Sequence, residues 1–154
     1  MDGNAIKTLN ENILSNKFLE NLQEISLRNC KIERMSSDAF SQLKHLTHVS
    51  LANNKLLKLP PNLFVGNDDL KSIDFSSNQI SSLIAYQLPP LVSLRKIDFS
   101  NNGLHAIHPK AFLNLGSSME VLDLRENHLK TLVRETFFPL HQLKVHKVLI
   151  KELN

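Results

Sequence analysis

The sequence predicts an α/β solenoid, a stack of similar units each built from a short strand and an irregular or short helical return. Three observations carry this. The string L-x-x-L-x-L-x-x-N-x-L recurs as LTHVSLANNKL at 46–56, LKSIDFSSNQI at 70–80, LRKIDFSNNGL at 94–104 and MEVLDLRENHL at 119–129. Its asparagines, Asn54, Asn78, Asn102 and Asn127, lie 24, 24 and 25 residues apart. Ahead of each asparagine, apolar and polar residues alternate with the period of a strand.

The units follow in order. Residues 1–21 read as the second half of a unit, with Asn4 and Ile6 in the N-x-L positions, then Leu9 and Leu14, and about two extra residues before Leu22. Residues 22–45 open with LQEISLRNCKI, which puts Cys30 in the asparagine slot. Residues 46–69, 70–93, 94–118 and 119–142 are full units. Residues 143–154 fit loosely as LKVHKVLIKEL, with His146 where an aliphatic belongs and Lys151 in place of the asparagine.

Within a unit, the strand carries Val49, Ile73 and Phe75, or Ile97 and Phe99, at inward positions that suit a pleated surface. Stacked strands form a parallel sheet at about 4.8 Å spacing. The ladder residues Asn4, Cys30, Asn54, Asn78, Asn102 and Asn127 close the strands. A side-chain amide there satisfies backbone groups at the turn, each of which would cost about 1–3 kcal/mol if buried unpaired. Cysteine fits the slot as a small, weakly donating residue. The returns carry two aliphatics and a large residue, as in Leu56, Leu59 and Phe64. This spacing predicts a column of Phe40, Phe64, Phe112 and Phe137, interrupted by Leu88. Pro60–Pro61, Pro89–Pro90 and Pro109 favour extended or turn geometry over regular helix in those returns.

With these motifs the chain resembles the leucine-rich repeat proteins over nearly its whole length. The unit of 24 residues and returns such as ERMSSDAFSQL and HAIHPKAFLNL resemble the typical subclass. The resemblance implies a horseshoe with a parallel concave β-sheet. It also implies an extracellular or cell-surface setting, in receptor ectodomains, adhesion molecules or immune recognition proteins. The implied function is non-enzymatic: a scaffold whose concave face binds a protein ligand or co-receptor. Two alternatives stand beside it, a spacer within a longer array and a pattern-recognition module for glycans or lipids. The scarcity of concave aromatics argues against the last.

Outward strand positions define the candidate face. Its charges include Lys71, Asp74, Arg95, Lys96, Asp98, Asp123 and Arg125 near the middle of the array, and these are the candidate partner-binding residues. Across the whole face seven basic residues meet six acidic ones, so the balance is mixed. A nucleic-acid surface needs a clustered basic stripe, which a net charge of +3 does not supply. Asp74, Asp98 and Asp123 form a row that reads either as inherited scaffold or as a grip for a cation or basic segment.

Other chemistry finds little support. His45 and His48 are three apart in a strand and point to opposite faces, and His105 and His108 lack ligand partners in sequence. No metal site, cofactor or catalytic residue is expected. Cys30 has no base tied to it, and the four glycines form no phosphate loop. No run of about 20 apolar residues exists to insert in a membrane. No signal peptide, cysteine-rich cap or Asn-x-Ser/Thr sequon is found, and both ends fall within a unit. These features suggest an internal fragment of a longer ectodomain. The apolar stretch Val145, Val148, Leu149, Ile150 suggests contact with a missing cap, or self-association through that end.

Overall fold

A computed structural model of the chain describes residues 1–115, 118–131, 133–143 and the backbone of 148–149. It is a solenoid of parallel strands with few helices. In chain order the strands are β1 (Thr8–Leu9), β2 (Glu24–Ser26), β3 (Arg34–Met35), β4 (His48–Ser50), β5 (Ser72–Asp74), β6 (Ser82–Leu83), β7 (Lys96–Asp98), β8 (Ala106–Ile107), β9 (Val121–Asp123) and β10 (Val148–Leu149). One short α-helix, α1 (Glu11–Leu14), begins at Asn10, whose side chain accepts from the Asn12 N–H. Single 3-10 turns cover Lys17–Leu19, Leu113–Leu115 and Arg134–Thr136.

The concave sheet runs β2-β4-β5-β7-β9-β10, every pair parallel. The repeat period sets its register: Ile25, Val49, Ile73, Ile97 and Leu122 stand side by side and face the core. Backbone bonds extend each pairing past the strand, as in Leu51 N–H to Asp74 O and Phe75 N–H to Asp98 O. The β10 pairing departs from the expected register. Val148 lies opposite Leu122 and Leu149 opposite Asp123, two residues later than the spacing that would put His146 there. A shift of two residues preserves the alternation along the strand. The expectations for Lys144, Val145, His146, Lys147, Ile150, Lys151 and Leu132 otherwise lie outside the described residues.

A second, broken sheet runs along the flank as β1-β3 and β6-β8. The break falls in unit 46–69. In units 22–45 and 94–118, Ser36 and His108 donate their N–H to Leu9 O and Leu83 O. The corresponding residue here is Pro60, which has no N–H to give.

The core is one continuous cluster of the repeated aliphatics. Its aromatic spine differs from the expected column. Phe40 stacks on Phe64 with ring centroids 4.9 Å apart, and Phe75 on Phe99 at 5.2 Å, linked by a tilted Phe64–Phe75 contact at 6.4 Å. The stack thus crosses from the return to the strand end where Leu88 interrupts it. Phe112 is buried elsewhere in the core, and Phe137 is only partly buried.

Candidate functional site

The concave face is held in place by the asparagines, each tying its own turn to the unit before it. The Asn78 amide donates to Phe75 O within its unit and to Leu51 O in the preceding one, while its Oδ1 accepts the Leu56 N–H. Asn54, Asn102 and Asn127 repeat this, accepting from Ile32, Ile80 and Leu104 and donating to Leu27 O, Phe75 O and Phe99 O of the unit before. Asn54 and Asn102 are buried with Asn78, and Asn127 is partly exposed. Cys30 is fully buried in the slot and donates weakly to Met1 O and Arg28 O. Asn4 is exposed, and its side chain donates locally to Met1 O.

The residue before each ladder position adopts a left-handed backbone. Asn29, Asn53, Ser77, Asn101 and Glu126 have φ of 53–56°, and Gly3 has 75°. This lets their N–H groups reach the next unit, as in Asn53 to Ser76 O and Gly3 to Arg28 O. Asparagine and glycine tolerate the left-handed region best. These positions therefore answer to backbone geometry as well as to the concave surface, a constraint the sequence pattern did not reveal.

The acidic row stands in register, with Asp74 opposite Asp98 and Asp98 opposite Asp123. All three carboxylates are used locally. Asp74 Oδ1 accepts from the Ser76 N–H and hydroxyl, Asp98 Oδ1 from the Ser100 N–H, and Asp123 Oδ1 from the Arg125 N–H. Each carboxylate thus caps the strand that carries it. Asp74 Oδ2 also accepts from Ser50 and pairs with Arg28 at 3.3 Å. Arg125 folds back over Asp123 with a 2.7 Å contact, leaving Asp123 only 4% exposed. Hydrogen bonding and charge from Asp123 raise the Arg125 pKa above its ordinary value, and Asp98 and Glu126 add to this.

The cations are arranged differently. Arg95, at the centre, pairs with Glu120 at 2.8 Å yet keeps its side chain 66% exposed. Lys71 and Lys96 are exposed and make no ion pair with a described residue. Lys71 stands one unit before Arg95 in the same outward column, and Lys96 follows Arg95 in the chain and pairs in register with Ser72 and Val121. Ala52, expected on an outward column, is 1% exposed because its methyl is too short to rise between the flanking side chains.

The histidines take separate partners. His45 faces Asp69 at 3.8 Å and His48 faces Glu24 at 3.6 Å, while His108 Nδ1 accepts the Lys110 N–H. No His, Cys, Asp or Glu cluster able to hold a metal occurs among the described residues. No helix among them is long and apolar enough to cross a membrane.

Two further polar devices support the face. Asn67 is fully buried and donates to Phe40 O and Leu43 O; Gln87 donates to Leu59 O and accepts from the Ile84 N–H; Asn114 donates to Leu88 O. They form an outer ladder on the return side. At the N-terminal edge, Asp2 Oδ1 accepts from the Ser26 hydroxyl at 2.6 Å and the Arg28 N–H at 2.9 Å. It thus caps unit 22–45, whose own strand has Ser26 where units 70–93, 94–118 and 119–142 have aspartate. These two bonds, that from Ser26 first, hold the Asp2 carboxyl below its ordinary pKa.

Comparisons with known proteins agree with this geometry. A search of curated protein sequences gives no match. Among solved structures, one chain from the structure of the Drosophila Toll–Spatzle complex, a molecular hub in development and innate immunity, aligns with a TM-score of 0.57 and 21% identity. The alignment covers 79% of this chain and 19% of that one, so the present sequence spans under a fifth of that receptor chain's length. The likeness is one of fold. The leucine rich repeat family model matches at residues 20–80, 44–104 and 92–145, which overlap to span most of the sequence. The chain is therefore a member of the leucine rich repeat family.

Proposed function

We propose that the chain is a non-enzymatic scaffold that binds a protein on its concave face, as part of an extracellular or cell-surface receptor, adhesion or immune-recognition protein. The observation that carries this is the contrast between the polar ladder and the charged surface above it. The asparagines and aspartates spend their hydrogen bonds on rigidity, and the remaining side chains on the sheet project from a fixed frame. Lys71, Arg95, Lys96 and Asp98 are the proposed centre of contact, with Asp74, Asp123 and Arg125 as its bracing surround. Mixed charge gives a protein interface register and specificity more than raw affinity. The Toll chain, seen in complex with Spatzle, is a leucine-rich relative in fold that engages a protein.

A second reading, a spacer with recognition elsewhere, draws on one observation. Exposed large apolar residues such as Leu57, Ile84, Tyr86 and Phe138 lie off the concave strands, and such residues often anchor interfaces. Site-specific photo-cross-linking separates the two. A cross-linker at Ser72 on the sheet should capture a discrete extracellular protein, and one at Asp38 in a return should not. Arg95→Glu with Asp98→Lys should abolish that capture without altering the fold. Capture from neither position would favour the spacer, with recognition elsewhere in a longer array.

A further inference from the structure

The concave face is near neutral by count, but its charges are unevenly committed. Three of its cations are already paired with its own acids: Arg28 with Asp74 at 3.3 Å, Arg95 with Glu120 at 2.8 Å and Arg125 with Asp123 at 2.7 Å. The three aspartates are likewise occupied as strand caps. Glu24 and Glu126 are exposed toward the two ends of the face, but at its centre the exposed charged side chains are cationic. Lys71, Arg95 and Lys96 sit on two adjacent strand segments about 5 Å apart. Among the described residues, the ion pair that offsets them is that of Arg95 with Glu120. The register neighbours of Lys96 are Ser72 and Val121, which carry no charge.

From this we infer that the partner presents an acidic segment, with its carboxylates over Lys71 and Lys96. The inference rests on the concave-face reading and gives its partner a charge. It also runs against the reading of the aspartate row as a grip for a basic segment, since one oxygen of each carboxylate already accepts a backbone N–H of its own strand. A sulfated glycan fits less well. Such a polymer needs a continuous basic stripe, and here Asp74, three residues past Lys71, and Asp98, two past Lys96, would repel it beyond the cluster. A discrete pair or triplet of carboxylates on a protein loop matches the small size of the patch. Lys71 and Lys96 would gain charge-assisted bonds without first breaking any ion pair among the described residues.

The probe is a fluorescein-labelled decapeptide of alternating glutamate and glycine, with its lysine counterpart as control, followed by fluorescence anisotropy at about 50 mM salt to limit screening. The acidic peptide should bind and the lysine peptide should not. Lys71→Glu with Lys96→Glu should weaken binding on the order of tenfold or more. Lys55→Glu with Lys58→Glu, at exposed sites beyond the strand, should leave it unchanged. Circular dichroism of both variants establishes that they fold; should the concave pair misfold, Lys71→Gln with Lys96→Gln takes its place. Absence of acidic-peptide binding, equal loss in both variants, or a preference for the lysine peptide would overturn the inference. Tighter binding of a heparin tetrasaccharide through the same two lysines would overturn its assignment to a protein. If cross-linking from Ser72 succeeds while the acidic preference fails, the concave-face reading survives and this inference alone falls.

Discussion

At the residue scale, a handful of polar side chains hold the backbone in place. Asn78 is the clearest, because one amide serves four backbone groups in two units. Asn78→Ala would strand the Leu56 N–H in the interior and take one of two amide donors from Leu51 O and Phe75 O, and should cost roughly 1–3 kcal/mol in urea denaturation. Ser77 is the opposite case, since it holds a left-handed φ of 56° without the side chain best suited to it. Ser77→Asn should raise stability by about 0.5–1 kcal/mol, given that Asn29, Asn53 and Asn101 already serve the same position. Asp2 adds a dependence on acidity. Its folded pKa is lowered from 3.8, so its contribution is present above that value and is lost as pH falls through the folded pKa. Wild type should therefore exceed Asp2→Asn in unfolding midpoint at pH 7, and the gap should close in strongly acidic solution. The sequence made the asparagine ladder legible through spacing alone. It did not reveal Asn67, Gln87 and Asn114, because their spacing is irregular and each reaches its carbonyls from a differently shaped return.

At the element scale, strand position was readable and strand partners beyond the period were not. The inward row from Ile25 to Leu122 follows from alternation plus a constant repeat. The aromatic spine does not, because Leu88 breaks the return column and the rings regroup through Phe75 and Phe99. Fully buried and stacked, Phe99 should be expensive to remove: Phe99→Ala should cost about 3–5 kcal/mol by the same denaturation measurement. The ion pairs show the same limit. Which residues share the face follows from parity, yet whether Arg125 turns to Asp123 or outward depends on rotamers that no spacing encodes. Likewise the two-residue offset at β10 is hidden, because a shift of two preserves the alternation from which register is inferred.

For the whole molecule, stability is a sum over units and the interfaces between them, as for any array in which each unit contacts only its neighbours. The family and the architecture were legible because a period repeated several times outweighs any local ambiguity. The partner was less so, since the exposed columns are the part of the sequence the period leaves free. The broken flank sheet shows the tolerance of such an array: losing one N–H at Pro60 interrupts the outer strands without interrupting the concave sheet.

The backward reach of the asparagines has one more consequence. Asn102 takes from unit 70–93 what Asn78 takes from unit 46–69: one N–H, and one carbonyl 27 residues upstream. The units are thus interchangeable parts with a common fitting. Deleting residues 70–93 as a block would bring Asn102 to Leu51 O and Leu56 N–H, and Phe99 to the place of Phe75 beside Phe64. A gene for such a chain can lengthen or shorten by whole copies, with each junction finding its bonds already prepared.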